Sequence, residues 1–218
     1  MNDGQEGTVR VLLKDQAYEN LKKLILEEVF APGTVLSERQ LAARLDMSKT
    51  PILSALERLE TEGFVAVSPQ QGIVVREPSL REIVDLFDIR IALEVFVVQS
   101  IAGRLNSEQI RRLQANLQPQ ARAAQAKDLV ECTRLDADFH LLLCEFLDNR
   151  EILQVMRGLR DKLYLVVLGL VRSDTGRLMI SYGEHEAIVE AVVKGQGEEA
   201  ARRSKEHWEY GKNFLVTR

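Results

Sequence analysis

The sequence contains little that would place the protein in an oxidising compartment or in a membrane. Its two cysteines, Cys132 and Cys144, exclude a disulfide framework and predict two reduced core residues. Its longest apolar run, Leu163–Val171, has nine residues, whereas a membrane-spanning helix needs about 20. The first residues are polar and acidic, unlike a secretion signal. We therefore expect a cytoplasmic protein that makes no contact with a membrane.

Positive charge is also scarce. The chain of 218 residues has 29 Lys and Arg against 33 Asp and Glu, a net charge of −4, so its surface as a whole does not attract nucleic acid. Residues 1–76 are themselves mildly acidic, with 9 Lys and Arg against 11 Asp and Glu. A nucleic-acid-binding surface, where there is one, must therefore be local. The length suits one small and one medium-sized domain.

The stretch Leu36–Val75 has the pattern of a helix-turn-helix followed by a hairpin. Ser37, with Gln40 three residues later, is a capping box that starts a first helix. After a short turn, Ser48 is expected to cap a second helix, which Gly63 ends. The expected buried stripe of this second helix is Ile52, Ala55, Leu56 and Leu59.

Two strands and a further helix complete this part of the chain. The runs Phe64–Val67 and Gly72–Val75 predict a β-hairpin that forms a wing. Before the helix-turn-helix, apolar residues recur at helical spacing until Ala31–Gly33 stops the helix. The residues of this spacing are Ala17, Leu21, Leu24, Ile25 and Val29. The prediction is a winged helix-turn-helix of three helices and a hairpin wing. In such a motif the second helix enters the DNA major groove, although two capped helices and a hairpin can also simply pack together.

A family resemblance favours the DNA-binding interpretation. Residues Ala31 to Val75 read APG-x-x-LSERQLA-x-x-L-x-MSKTPI-x-x-AL-x-x-LE-x-EGFV-x-V-x-x-x-x-G-x-x-V, and this pattern resembles the winged helix of the GntR family of bacterial transcription regulators. The resemblance implies that the start of the second helix contacts the major groove and the tip of the wing approaches the minor groove. The residues that it implies as DNA contacts are Arg39, Ser48, Lys49, Thr50, Gln70, Gln71 and Gly72.

Two positions depart from the family pattern. The family usually has arginine at the positions of Lys49 and Leu53. Lysine binds phosphate as a point charge but lacks the bidentate contact that arginine makes with guanine, and leucine provides neither. The operator sequence of this protein is therefore expected to differ from those of its relatives, or its binding to be weaker.

The rest of the chain predicts an all-α bundle. From Leu80 onward the spacing of apolar residues is helical, without the alternation typical of strands. Breaks near residues 106–107, 126–128, 148–149, 173–176 and 195–197 divide it into about six helices. Ser79 with Glu82 is another capping box, so we place a domain boundary near residue 78. The predicted fold is mainly α, with a winged helix-turn-helix over residues 1–78 and a helical domain over 79–218.

The three histidines of the chain, His140, His185 and His207, each align with apolar or small residues at helical spacing. Asp136 precedes His140 by one helical turn on the same face. A single histidine of this kind is usually a hydrogen-bonded core residue. Three of them with an inward carboxylate favour a site for a divalent transition metal, because an unpaired buried aspartate is costly. Periodicity alone does not establish that the four side chains converge.

A second resemblance bears on this convergence. Residues from about Leu80 to Leu215 resemble the all-α FCD effector domain of the FadR-type branch of the GntR family. The motifs that carry it are Asp136-Ala137-Asp138-Phe139-His140, Glu184-His185 and a final histidine. The metal ligands that the resemblance implies are Asp136, His140, His185 and His207.

The resemblance also implies an effector. The branch has an Arg-x-x-x-Glu on the first effector helix, matched here by Arg90 and Glu94, and its arginine can pair with an effector carboxylate. An interior or interface ion pair is an equally good interpretation of Arg90. Asp and His ligands suit Zn²⁺, Ni²⁺ and Mn²⁺, and the open metal positions could take water or the carboxylate of a small acid.

The functional expectation is a homodimeric bacterial transcription regulator, expected to be a repressor. Its binding to a double-stranded DNA operator would be controlled by a small carboxylate at the metal site. Two alternatives remain open: a metal-dependent enzyme acting on a small organic acid, since metal-bound water can be a nucleophile, and a regulator whose metal is purely structural. No separate general base, nucleophile or nucleotide loop is evident in the sequence, which argues against the enzyme.

Overall fold

The computed structural model describes residues 12–68 and 72–217. The described chain forms two compact units, the first ending at Glu77 and the second beginning at Pro78. Its helices number nine within the described residues, with one small sheet of three strands. The predicted fold class, a winged helix-turn-helix followed by a helical domain, is confirmed.

The first unit has three helices and three strands around a small apolar core. Leu21, Leu41, Ile52, Leu59 and Ile73 are almost completely buried there. The elements are α1 (Leu13–Leu26), β1 (Val35–Leu36), α2 (Glu38–Leu45), α3 (Lys49–Thr61), β2 (Val65–Ser68) and β3 (Gly72–Val75).

Side chains and left-handed residues set the ends of α2 and α3. The Ser37 hydroxyl accepts a hydrogen bond from the backbone N–H of Gln40, in the predicted capping box. Asp46 has a φ of 51° and ends α2, and Gly63, with a φ of 79°, follows α3. Ser48 occupies the N-cap position of α3, but its side chain makes no capping bond. The expectation that Ser48 caps this helix with its hydroxyl is therefore wrong.

The sheet differs from the predicted hairpin by an additional strand. Its order is β1-β3-β2, with both pairs antiparallel and Val35 opposite Val74. The first wing strand begins one residue later than predicted, because the N–H of Phe64 bonds to the carbonyl of Leu59 and closes the end of α3. The first helix also ends earlier than predicted, at Leu26, so that Val29 lies outside it and is exposed.

The second unit is a bundle of six helices with the predicted breaks. A large apolar core includes Val97, Leu113, Phe139, Met156 and Ile188. The helices are α4 (Leu80–Ile101), α5 (Ser107–Ala126), α6 (Leu129–Phe146), α7 (Arg150–Ser173), α8 (Arg177–Val193) and α9 (Gly197–Val216). Among the described residues, no helix combines the length and apolar character that a membrane span requires.

Candidate functional site

Three helices of the bundle bring one carboxylate and three imidazoles together. Asp136 and His140 lie one turn apart on α6, His185 lies on α8 and His207 on α9. The three histidines are buried, with exposed fractions of 0%, 1% and 6%, because each continues the apolar face of its helix. The side chain of Asp136 retains 14% exposure.

The four side chains converge on one small volume. The Oδ1 atom of Asp136 lies 3.4 Å from Nε2 of His185 and 3.8 Å from Nε2 of His140. The Nε2 atoms of His185 and His207 are 3.3 Å apart. One potential ligand atom from each of the four residues lies within 4.8 Å of all the others. Donor atoms that bind one ion at about 2.1 Å lie roughly 3.0 to 4.2 Å apart, so a small contraction would suffice.

The opposite nitrogen of every imidazole has a hydrogen-bond acceptor behind it. Nδ1 of His140 lies 2.7 Å from Oε1 of Glu94, and Nδ1 of His207 lies 2.6 Å from Oε2 of Glu184. Nδ1 of His185 lies 2.8 Å from Oε1 of Gln120. Metal-binding histidines usually donate their second N–H to such an acceptor, which fixes the ring and leaves the other nitrogen free to coordinate.

A relay from the backbone fixes the tautomer of His185. The amide nitrogen of Asn116 donates to the carbonyl of Leu135 at 3.3 Å, so its oxygen accepts from Nε2 of Gln120 at 2.6 Å. The Gln120 oxygen therefore faces Nδ1 of His185, which must carry the proton. The Nε2 atom of His185 is consequently unprotonated, and its lone pair faces the cluster.

Burial keeps two of the imidazoles neutral. Desolvation lowers the pKa of His140 below 6.5 despite the opposing effect of Glu94, and it lowers the pKa of His185 further, since His207 and His140 are nearby. Burial would raise the pKa of Glu184, but hydrogen bonds from His207 and Arg177 outweigh it and lower the pKa to about 2. Burial likewise opposes ionisation of Glu94, yet His140 and Arg90 hold its pKa below the ordinary value. Both carboxylates are therefore ionised at neutral pH.

The residues fit a divalent metal ion. Nε2 of His140 is buried and, among the described residues, has no hydrogen-bond partner. Nε2 of His185 and Nε2 of His207 face each other at 3.3 Å, and the proton of His185 is on the other side of its ring. A buried polar group without a partner is costly. One cation bound between these nitrogens and Asp136 would satisfy all of them.

Two small cavities of about 30 Å³ each adjoin the cluster. Each has room for roughly two waters. Both are lined by Asp136, Val167, Val171 and Ser181, so they meet beside the aspartate. The first also contacts His185 and, with it, Gln120, Ala124, Cys132, Thr133, Leu178 and Tyr182. The second also contacts His207 and, with it, Phe87, Leu170, Arg177, Trp208 and Gly211.

Arg90 lies behind the cluster. Its Nε donates to Oε2 of Glu94 at 2.9 Å, and its guanidinium stacks over the ring of Trp208. Both charged side chains are buried, with 3% and 0% exposure, and the walls of the two cavities do not include Arg90. The arginine on a cavity wall is Arg177, which is 4% exposed and forms a bidentate pair with Glu184.

Sequence reasoning missed the partners behind the histidines. The sequence indicates Glu94 only as the partner of Arg90, and it predicts no contact with a histidine for Gln120, Glu184 or Trp208. Their signal is weak, because nothing in the sequence pairs Gln120 on α5 with His185, 65 residues away. Asp138, the second carboxylate of the Asp136–His140 motif, pairs with Arg134 and Arg160.

The candidate DNA contacts cluster around the start of α3. Arg39, Ser48, Lys49 and Thr50 are exposed, and Nζ of Lys49 forms an ion pair with Glu38 at 2.6 Å. Gly72, the first residue of β3, has a φ of 82°, and a Cβ there would lie 2.9 Å from the carbonyl of Leu36. Two further candidates, Gln70 and Gln71, lie outside the described residues. Leu53, where the family has arginine, is 38% exposed.

Comparison with known families identifies both units. The profile of the bacterial regulatory proteins of the gntR family matches residues 13–75. The FCD domain profile matches residues 85–210, more than half of the chain. The winged helix and the helical bundle thus define the class of a DNA-binding transcription regulator, not an enzyme. The chain belongs to the gntR family of bacterial regulatory proteins, in the group that carries an FCD domain.

Individual relatives agree with this assignment. The uncharacterized HTH-type transcriptional regulator YdhC of Bacillus subtilis (strain 168) is 27% identical over 89% of this chain and 87% of its own length. The HTH-type transcriptional repressor RspR of Escherichia coli (strain K12) is 32% identical, over 62% of this chain and 60% of its own length. The gluconate operon transcriptional repressor of Bacillus licheniformis is 29% identical, over 78% and 68%.

Solved structures share the fold. Escherichia coli McbR/YncC has a TM-score of 0.81 at 22% sequence identity, over 95% of this chain and 98% of that protein. A GntR transcriptional regulator from Rhodococcus sp. RHA1 has a TM-score of 0.82 at 23% identity, over 94% and 97%.

Proposed function

We propose that this DNA-binding regulator is a homodimeric, cytoplasmic repressor whose affinity for its operator is controlled by a small carboxylate bound at a divalent metal site. Asp136, His140, His185 and His207 are the proposed ligands. The observation that carries the metal site is the set of three imidazoles with acceptors behind Nδ1. Among the described residues, the buried Nε2 atom of His140 has no hydrogen-bond partner. The names of two relatives support repression.

Each part of the chain has a defined task in this proposal. A bound Zn²⁺, Ni²⁺ or Mn²⁺ would supply two positive charges and open positions for a carboxylate oxygen. Glu94, Gln120 and Glu184 hold the imidazoles in the tautomer that coordinates through Nε2. Val167, Val171 and Ser181 line both cavities and so define the space beside Asp136 in which the carboxylate would bind.

Thermodynamic linkage couples the binding of the effector to the binding of DNA. The carboxylate needs only to bind better to one arrangement of the protein, because DNA affinity then changes by the same factor as effector affinity. Couplings of this kind usually amount to about 5- to 150-fold. Dimerisation is part of the proposal because one short recognition helix makes few base contacts, and two-fold symmetric half-sites supply the missing specificity.

DNA recognition would come from the exposed start of α3 and from the wing. Ser48, Lys49 and Thr50 are the proposed groove and phosphate contacts, with Arg39 on α2 and Gly72 on the wing. The hydroxyl of Ser48 is not used as a helix cap, so it is available to a phosphate or a base edge. The family resemblance implies Gln70 and Gln71 as two further DNA contacts.

The experiment that tests the DNA part is selection of bound sequences from a random duplex pool by the purified chain, at moderate salt, with and without a chelator. Enrichment of a two-fold symmetric site would support a dimeric regulator and supply a probe. Absence of enrichment from folded protein would mean that Lys49 and Leu53 have removed its specificity.

The metal part is tested by zinc titration of the chelator-treated protein. The wild-type chain should bind one zinc ion, and a His140→Ala, His185→Ala double variant should lose this binding. Equal zinc binding by the two proteins would contradict the site. If chelation unfolds the helical unit and no organic acid shifts its melting temperature, the metal is structural, and the proposed effector control is wrong.

A further inference from the structure

We propose that the metal site accepts a carboxylate with a single negative charge, and that the neutral amide of Gln120 sets this limit. The inference deepens the proposed function and rests on its metal site. It concerns the charge class of the effector, which neither the family assignment nor the set of four ligands determines.

The charged side chains around the cluster largely cancel one another. Arg90 and Glu94 form a buried ion pair at 2.9 Å, and their charges cancel. Arg177 and Glu184 form a second, bidentate pair, and their charges also cancel. Asp136 remains with one negative charge. A divalent cation on neutral imidazoles would leave the whole assembly with one net positive charge.

Net charge has a large energetic effect at the depth of this cluster. The ligand histidines are at most 6% exposed, so charges beside them are poorly screened by water. A single carboxylate would bring the assembly to zero net charge. A dianion would leave one buried negative charge without a partner, which is costly.

Among the described residues, the cavity walls offer a second carboxylate no positive charge that is not already paired. Apart from the imidazoles, the charged residues that line the two cavities, within the described part of the chain, are Asp136 and Arg177. The guanidinium of Arg177 is already engaged by both oxygens of Glu184. The remaining polar groups of the walls are uncharged: the hydroxyls of Thr133, Ser181 and Tyr182, the amide of Gln120, the thiol of Cys132 and the indole of Trp208.

The volume of the cavities limits the length of the ligand. Each has a volume of about 30 Å³. Displacing roughly two waters from each leaves room for a chain of about two to four carbons. The hydroxyl-bearing walls of the first cavity suit a ligand hydroxyl, so the chemical class is a short monocarboxylate, plain or hydroxylated, such as acetate, glycolate or lactate.

Gln120 is the residue through which the net charge of the assembly can be changed and tested. Two of the imidazoles have a carboxylate behind Nδ1, whereas His185 has the Gln120 amide. A Gln120→Glu substitution is nearly isosteric and adds one negative charge. The metal-loaded assembly would then be neutral before any ligand enters.

The first experiment uses the wild-type chain, loaded with zinc at neutral pH, and follows its melting temperature. Acetate, glycolate and lactate should raise the melting temperature, whereas malonate and succinate at equal concentration should leave it unchanged. None of the acids should act on the chelator-treated protein. Larger stabilisation by malonate or succinate would overturn the inference while leaving the metal site intact. Absence of zinc binding would instead overturn the proposed function.

The second experiment compares Gln120→Glu with Gln125→Glu, which adds the same charge on the exposed face of the same helix. Gln120→Glu should bind zinc about tenfold more tightly, and its response to acetate should weaken at least tenfold. Gln125→Glu should match the wild type in both. An acetate response of wild-type strength in a folded, zinc-loaded Gln120→Glu protein would contradict the charge limit.

Discussion

Nδ1 of His140 lies 2.7 Å from Oε1 of Glu94, and both side chains are completely buried. The same carboxylate accepts hydrogen bonds from Arg90, Ser204 and the indole of Trp208. Glu94 is thus the most heavily bonded carboxylate beside the cluster, and it holds the His140 imidazole from the side opposite the candidate metal position. The corresponding positions behind His207 and His185 are filled by Glu184 and Gln120.

A Glu94→Gln substitution should weaken zinc binding by about 10- to 100-fold, because an amide orients the His140 ring less firmly and lowers its basicity. It should also destabilise the fold by roughly 3–5 kcal/mol, since Arg90 loses a buried partner. Zinc titration and denaturant unfolding measure the two effects. Glu190→Gln, at an exposed position of α8, is the matched control. Unchanged zinc affinity in Glu94→Gln would show that His140 does not need this carboxylate.

The stability of the metal-free protein should fall as the pH drops below about 6.5. In the unfolded chain, histidines take up a proton near this pH, whereas burial lowers the pKa of His140 and His185 in the folded chain. The unfolded state therefore binds more protons, and the free energy of unfolding decreases by up to about 1.4 kcal/mol per pH unit for each histidine. Urea unfolding between pH 7.5 and 5.5 measures the slope. A folded His140→Gln, His185→Gln variant with the same slope would contradict this assignment.

Zinc binding should change the fluorescence of the protein. Trp208 is the one tryptophan of the sequence, and its ring centroid lies 4.4 Å from that of His140 and 5.1 Å from that of His207. Coordination by these two histidines should therefore alter the emission of Trp208 at a stoichiometry of one. The double variant His140→Ala, His185→Ala should show no such change. A wild-type protein that binds zinc by calorimetry with constant emission would place the ion elsewhere.

Lys49→Ala should weaken DNA binding about equally on all sequences and lower the salt slope by about 1, because the contact proposed for Lys49 is with a phosphate. The ion pair with Glu38 does not prevent this role, since pairs of exposed side chains are worth roughly 0–1 kcal/mol. Affinity measured at several salt concentrations checks the prediction. Lys127→Ala, at an exposed position of the helical unit, should leave the slope unchanged. An unchanged slope for Lys49→Ala would remove Lys49 from the interface.

Most of the fold could be predicted from the sequence, because helix caps and apolar periodicity are signals that span only a few residues. The capping boxes at Ser37 and Ser79 and the breaks between the six helices were visible because caps and periodicity are encoded locally. The strand Val35–Leu36 was missed because two residues carry no alternation, and it exists only through pairing with β3. The residue type of Ser48 favours a cap, but its side chain makes no capping hydrogen bond.

The sequence predicts the four candidate metal ligands but not the residues that hydrogen-bond to the imidazoles from behind. Asp136 and the histidines could be found because few residue types bind metals and their spacing gives them one face of a helix. Gln120 and Glu184 act through contacts between helices, and a glutamine or glutamate in an amphipathic helix usually faces solvent. Their roles depend on tertiary packing that periodicity does not contain.

The most direct test of the central claim is the affinity of the selected operator duplex for the zinc-loaded protein, measured by fluorescence anisotropy with and without acetate or lactate. The account predicts that the acid changes Kd at least about fivefold for the wild-type chain and leaves the His140→Ala, His185→Ala variant unaffected. An equal change in the double variant, or none in the zinc-loaded wild-type protein, would contradict control of DNA binding through this site.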